Sequence, residues 1–72
     1  MTDDFTLRYK VLKRELSLRW LIIQFRHRRY RETPQEIQDV YLGKITGDTA
    51  KPILDKALSI IDDYDLWMEG TA

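Results

Sequence analysis

Residues 16–25 read LSLRWLIIQF, and this stretch carries the most information about the fold. Seven of its ten residues are apolar, and neither glycine nor proline interrupts it. On an α-helix these side chains would point all round the axis, and a helix that is apolar on every side must be covered on more than one side. Because only about 40 residues remain to cover it, we expect a second copy or a different partner to do so.

The stretch lies inside a longer segment that predicts one helix, from Asp3 or Asp4 to about Arg29. Acidic residues suit the start of a helix and the arginines near residue 28 suit its end, because both oppose the helix dipole. Spacings of four and three predict one buried stripe, made of Phe5, Tyr9, Leu12, Leu16, Trp20 and Ile23. A second apolar set lies off this stripe: Val11, Leu18, Leu21, Ile22 and Phe25.

A short second helix has clear start and stop signals. Thr33 is typical of an N-cap, Pro34 of the first helical position, and Glu36 of a capping box. Gly43 is expected to end the helix as a C-terminal cap. Its predicted buried face is Ile37, Val40 and Tyr41.

A third helix is predicted after a loop over residues 44–47. Asp48 or Thr49 would cap it, Pro52 would lie in its first turn, and Gly70 would end it. Its predicted buried stripe is Ile53 or Leu54, Ala57, Leu58, Ile61, Tyr64, Trp67 and Met68. The sequence therefore predicts an all-α fold: one three-helix domain over residues 1–72, associating as a helical homodimer.

Composition excludes several classes of protein. The chain has no cysteine and one histidine, His27, so we expect no disulfide and no metal site. The acidic N-terminus lacks the pattern of a secretory signal, and no apolar run approaches the roughly 18 residues of a membrane span. We expect a cytoplasmic protein without membrane association.

The sequence gives no sign of catalysis or of a cofactor. Ser17 and Ser59 lie within predicted helices, without the context of an activated serine. Residues 43–49 read GKITGDT, but a phosphate-binding loop needs a different glycine spacing, a lysine where Asp48 stands, and a preceding strand. We therefore expect that the protein is not an enzyme.

Charge is strongly segregated although the net charge is zero. Residues 1–31 carry nine Lys/Arg against three acids, and residues 32–72 carry three Lys against nine acids. Such asymmetry favours an interaction surface. Two alternatives stay open: the halves face each other and partly neutralise, or the basic half is exposed.

Arginines are concentrated in residues 25–31, which read FRHRRYR. This cluster could be a solvated helix end paired with the acidic third helix, a surface for an acidic protein partner, or a site for nucleic-acid phosphates with Tyr30 stacking on a base. The net charge of zero argues against a dedicated nucleic-acid binder.

Tyr30, Thr33, Glu36 and Tyr41 have a spacing that resembles the middle of the small enterobacterial nucleoid modulators of the Hha/YmoA type. The similarity covers about twelve residues, most of them a common capping box. Residues 43–45 stand where that family has Asp-His-Arg. The resemblance implies only a small helical protein that modifies the activity of another protein.

The leading functional hypothesis is a non-catalytic helical interaction module, an adaptor, inhibitor or modulator that acts through an apolar helix face with an arginine rim. The alternative is a nucleic-acid-binding or nucleoid-associated regulator that uses the same arginines. The expected partner-binding residues are Trp20, Ile22, Phe25, Arg26, Arg28, Arg29, Tyr30 and Arg31.

Overall fold

The fold is all-helical, as the sequence predicts. A computed structural model describes residues 3–71, with side chains for residues 6–70. These residues form α1 (Asp3–Lys13), α2 (Leu18–His27), α3 (Pro34–Tyr41), a 3-10 turn (Gly47–Thr49) and α4 (Lys51–Thr71), and they contain no β-strand. The side chains of Asp3, Asp4 and Phe5, for which a cap and a core position were predicted, lie outside the described residues.

The prediction of one long N-terminal helix is wrong, because the chain breaks between α1 and α2. Glu15 adopts a left-handed backbone with φ 58°. Its N–H donates to the Leu12 carbonyl at 3.0 Å, and the Leu16 N–H donates to the Val11 carbonyl at 3.0 Å. This is the Schellman arrangement that usually ends at glycine. Ser17 then caps α2, since its hydroxyl accepts from the Trp20 N–H at 3.1 Å.

The end of α2 repeats this arrangement two residues earlier than predicted. Arg29 has φ 59°, and the Tyr30 N–H donates to the Phe25 carbonyl at 3.1 Å. The rings of Phe25 and Tyr30 lie 5.4 Å apart at an interplanar angle of 72°. A contact between these two positions commonly accompanies the motif. Ring packing therefore helps hold an arginine in a conformation that glycine adopts more easily.

The signals at both ends of α3 are confirmed. The Glu36 N–H donates to Thr33 Oγ1 at 3.2 Å, and the Thr33 N–H donates to Glu36 Oε1 at 3.0 Å. At the other end Gly43 has φ 81°. The Lys44 N–H donates to the Asp39 carbonyl at 2.8 Å. The local sequence signals thus coincide with both ends of this helix.

Both predicted ends of the last helix need correction. Asp48 and Thr49 lie in the 3-10 turn rather than capping the helix, and α4 begins at Lys51. Pro52 is tolerated there because the first N–H groups of a helix need no helical partner. Gly70 does not end the helix, which continues to Thr71. Gly70 does not adopt the left-handed backbone of a glycine cap, so the helix passes through it.

In α1 and α2 the core includes Val11, Leu21 and Phe25, which lie off the predicted buried stripe. Tyr9, Leu12 and Ile23 from the stripe are exposed, with 63%, 60% and 42% of their surface accessible. The predicted stripe therefore took the wrong face of both helices: Leu7 and Val11 of α1, and Leu21 and Phe25 of α2, each pair spaced by four, face the core instead. The described buried side chains are Leu7, Val11, Leu21, Phe25, Ile37, Val40, Tyr41, Ala50, Ile53, Leu54, Ala57, Ile60 and Ile61.

The apolar stretch at residues 16–25 is covered only in part. Leu21 and Phe25 are buried, Trp20 and Ile22 pack against the core half-buried, and Ile23 is exposed. One copy therefore hides more of this stretch than expected, but not all of it. Within residues 3–71, no helix combines the length and apolar character that a membrane span requires.

Candidate functional site

A surface groove lies between α2 and α4. Its volume is about 480 Å³, within the range of about 300–1,000 Å³ of pockets that hold small ligands or side chains. Spacings of four along α2 and of three and four along α4 bring one stripe from each helix to its walls. The lining residues are Trp20, Gln24, Arg28, Ile60, Asp63, Tyr64 and Trp67.

Three aromatic rings form the apolar part of the groove. Trp20 and Tyr64 meet edge to face, with centroids 5.4 Å apart and planes at 79°. Trp67 follows at 6.3 Å from Tyr64, with planes at 39°. Trp20 and Tyr64 are half-buried, whereas Trp67 has 62% of its surface exposed. An indole next to a groove, held by neighbouring rings, is the kind of side chain that anchors protein interfaces.

An ion pair completes the groove wall. Arg28 Nη1 lies 2.8 Å from Asp63 Oδ2. The pKa of Arg28 is raised above its ordinary value, chiefly because it donates this hydrogen bond; burial acts against the shift, and a hydrogen bond with Tyr30 adds to it. Both side chains are partly exposed, so the pair contributes little to stability. It places one positive and one negative group beside the aromatic rings.

A second ion pair joins Arg14, the residue after α1, to α4. Arg14 donates from Nε and Nη2 to the two carboxylate oxygens of Asp65, at 2.7 Å each. Together with Arg28 and Asp63, this contact supports one of the two alternatives for the charged halves: they face each other within the fold. Other arginines of the cluster stay exposed, so the neutralisation is partial.

The connector between α2 and α3 is fastened to α4 by a lysine. Lys56 Nζ lies 2.6 Å from Glu32 Oε2 and 5.0 Å from the centroid of the Tyr30 ring. Burial alone would raise the pKa of Glu32, but the hydrogen bond from Lys56 and a backbone hydrogen bond outweigh burial and lower it. Glu32 is therefore ionised at neutral pH, and the contact is structural.

The structure divides the predicted partner-binding residues into four groups. Trp20 and Arg28 line the groove. Phe25 is a correction to the predicted surface, because it is buried in the core at 1% exposure. Ile22 and Tyr30 are half-buried, and Arg26, Arg29 and Arg31 are exposed.

Sequence reasoning missed the half of the groove that α4 supplies. The sequence assigns Asp63 no binding role and predicts Tyr64 and Trp67 in the buried stripe of the last helix. The apolar stripe of α4 in fact extends past the core, so its last aromatic residue reaches the surface. The apolar stripe of the last helix is longer than the other predicted helices can cover, and this signal could have indicated that its end is exposed.

Within residues 6–70, no three His, Cys, Asp or Glu side chains are grouped so that they could hold a metal ion. No family model, curated protein or solved structure matches this chain.

Proposed function

We propose that this chain is a small, non-catalytic helical interaction protein that modulates or adapts another protein. The observation that carries the proposal is the groove in which Trp67 lies 62% exposed next to Tyr64. Tryptophan, tyrosine and arginine are the residues most enriched at the energetic centres of protein interfaces. The groove offers all three within one site.

The charges near the groove define the partner. Arg29 and Arg31 follow Arg28 of the groove along the chain and are exposed. A guanidinium pairs well with carboxylates, because its planar fork can donate two parallel hydrogen bonds. The partner we propose presents an apolar or aromatic side chain to the groove and acidic side chains to these arginines.

We also propose that the protein works as a homodimer in the cytoplasm. A 72-residue domain buries only about 60% of its unfolded surface and gains from association. Exposed apolar side chains such as Leu12 and Leu66 leave surface for a second copy. The absence of cysteine agrees with a reducing compartment.

The test compares Trp67→Ala with Leu42→Ala in capture of partner proteins from cell extract. Leu42 is a matched control, because it is also exposed and apolar but lies at the end of α3, outside the groove. The expected result is a set of proteins retained by the wild type and Leu42→Ala and lost with Trp67→Ala. Retention of the same set by Trp67→Ala would refute a role for the groove.

A second candidate function is nucleic-acid binding by the exposed arginines 26, 29 and 31. Phosphate contacts make affinity fall steeply with salt. Gel shifts with duplex DNA and single-stranded RNA at about 50 and 200 mM salt test this idea. Binding at low salt that the triple alanine variant abolishes would favour it, and no shift even at low salt would end it.

A further inference from the structure

The groove between α2 and α4 has an aromatic part and a charged part. Trp20, Tyr64 and Trp67 form the aromatic part, with neighbouring ring centroids 5.4 and 6.3 Å apart. Arg28 and Asp63 form the charged part, with Arg28 Nη1 2.8 Å from Asp63 Oδ2. Both parts lie within one site of about 480 Å³, so a single small ligand can contact them together.

The ion pair of the groove can accept further partners. Its two side chains are partly exposed, 32% for Arg28 and 51% for Asp63, so solvent screens the pair and it contributes little by itself. Arginine has five N–H donors, and a carboxylate has two acceptor oxygens. The contact joins one Nη to one oxygen, and Arg28 also forms a hydrogen bond with Tyr30. Both charged groups therefore keep hydrogen-bonding capacity for a ligand.

We propose that this groove binds a small aromatic zwitterion, of the chemical class of a free aromatic amino acid. The ring of the ligand packs against Trp20 and Trp67, since offset and edge-to-face contacts between aromatic rings are favourable. Its carboxylate pairs with Arg28 and its ammonium with Asp63. In an α-amino acid both charges are attached to one carbon, so they lie close together, as the two charges of the groove do. Half-buried Gln24 also lines the groove and offers an amide that helps orient the polar end of the ligand.

Aromatic ligands with a single charge fit the groove less well. An anion that pairs with Arg28 lies beside the carboxylate of Asp63, and a cation that pairs with Asp63 lies beside the guanidinium of Arg28. Like charges at such short distances oppose binding. A neutral ring leaves the ion pair to water and gains only the burial of apolar surface. The paired charges therefore favour a ligand that carries both signs.

This inference goes beyond the proposed function and does not depend on it. A small ligand and the side chain of a protein partner would contact the same rings, so the two would compete for the groove. Binding of the ligand and capture of proteins are measured in separate experiments, and either result can fail while the other stands.

Three probes that share a phenyl ring test the class of ligand. They are L-phenylalanine, phenethylamine, which lacks the carboxylate, and 3-phenylpropionate, which lacks the ammonium. Titration of the full chain at pH 7 is followed by the fluorescence of its two tryptophans, Trp20 and Trp67. Because the groove is only partly enclosed, we expect a dissociation constant for L-phenylalanine on the order of 1–10 mM. The two analogues should bind about three- to tenfold more weakly, and glycine, a zwitterion without a ring, should not bind.

Charge-removing variants locate the site. In Asp63→Asn the affinity for L-phenylalanine should fall about three- to tenfold. Its advantage over 3-phenylpropionate should disappear, because the group that pairs with the ammonium and repels the anion is gone. Asp65→Asn is the matched control, since Asp65 is also an ion-paired carboxylate of α4 but lies outside the groove. It should bind all three probes like the wild type.

A measurement on the wild type keeps the test independent of the folding of any variant. The chain has only two tryptophans, and both line the groove, so L-phenylalanine should shift both indole N–H signals in NMR spectra. Circular dichroism shows whether each variant is folded. Unshifted indole signals, or analogues that bind as tightly as L-phenylalanine, would overturn the inference. So would a folded Asp63→Asn variant that binds the three probes as the wild type does.

Discussion

Arg14 donates two hydrogen bonds of 2.7 Å to the carboxylate of Asp65, which lies 51 residues further along the chain. The third contact of the same guanidinium is local, since Nη1 donates to the Lys10 carbonyl at 2.9 Å. The Arg14 side chain therefore donates to the Lys10 carbonyl in the last turn of α1 and also connects that turn to Asp65 of α4. It stands directly before the break at Glu15, where the chain turns away from α1.

The Arg14–Asp65 contact makes stability depend on pH. Arg14 holds the pKa of Asp65 below its usual value by hydrogen bonding, against the opposing effect of burial. A lowered carboxyl pKa contributes stability above the unfolded value of about 4, and this is lost as the pH falls through the folded value. Urea denaturation at several pH values should therefore show that the free energy of unfolding falls less on acidification in Arg14→Gln than in the wild type.

Arg31→Gln is the control for this measurement, because Arg31 is exposed and lies outside α1 and α4. Its pH dependence should match that of the wild type. Some acid sensitivity should remain in Arg14→Gln, since the pKa of Glu32 is also lowered by Lys56. Equal acid destabilisation in Arg14→Gln and in the wild type would show that the contact has no role in this pH range.

Replacing Glu15 with glycine should stabilise the protein. A left-handed backbone costs a residue with a Cβ atom about 1–2 kcal/mol, and glycine avoids this cost while losing more chain entropy on folding. We expect the free energy of unfolding to rise by roughly 0.5–1 kcal/mol in urea denaturation.

Lys13→Gly is the comparison for Glu15→Gly, because Lys13 is exposed and helical at the end of α1. There glycine should lower stability by up to about 1 kcal/mol. Opposite signs at two positions so close together would confirm that the chain turns at Glu15. Destabilisation by both glycines would contradict the break and favour a continuous helix.

Removing the hydroxyl of Ser17 should loosen the start of α2. Its oxygen accepts from the Trp20 N–H, so Ser17→Ala leaves that donor to water and should cost about 1 kcal/mol. In Ser17→Ala, the hydrogen-exchange rates of the first amides of α2 should rise more than those of the amides in α4. Ser59→Ala is the control, because Ser59 is exposed within α4, where alanine is at least as favourable. Equal effects of the two substitutions would argue against a helix start at this position.

Neighbouring residues of α1 should respond very differently to truncation. Val11 is fully buried, so Val11→Ala should cost about 1–2 kcal/mol through lost burial and a small cavity. Leu12 is 60% exposed, and Leu12→Ala should change stability by no more than about 0.5 kcal/mol. The predicted stripe, which includes Leu12, gives the reverse order, so thermal unfolding of the two variants shows which face of α1 is buried.

The local signals of α3 were read correctly from the sequence, whereas those at Asp48, Thr49 and Gly70 were not. The capping box at Thr33 and Glu36 and the glycine cap at Gly43 fix α3, because each acts through hydrogen bonds within a few residues. Trp20 and Arg28, two of the expected partner-binding residues, line the groove, but the groove itself was not predicted. The exposed end of the α4 stripe was not foreseen, since exposure of Trp67 depends on which other helices reach that far.

The sequence by itself determined an all-helical chain, the bounds of α3 and the separation of its charges, since propensity, caps and composition act locally. Tertiary structure decided that the first segment is two helices, with Val11 and Leu21 inward and Leu12 and Ile23 outward. It also decided which arginine meets which acid. The reason is that neither Glu15 nor Arg29 is a residue type that favours a left-handed backbone. That conformation occurs together with long-range contacts: Leu16 and Tyr30 pack against the core, and Arg14 pairs with Asp65.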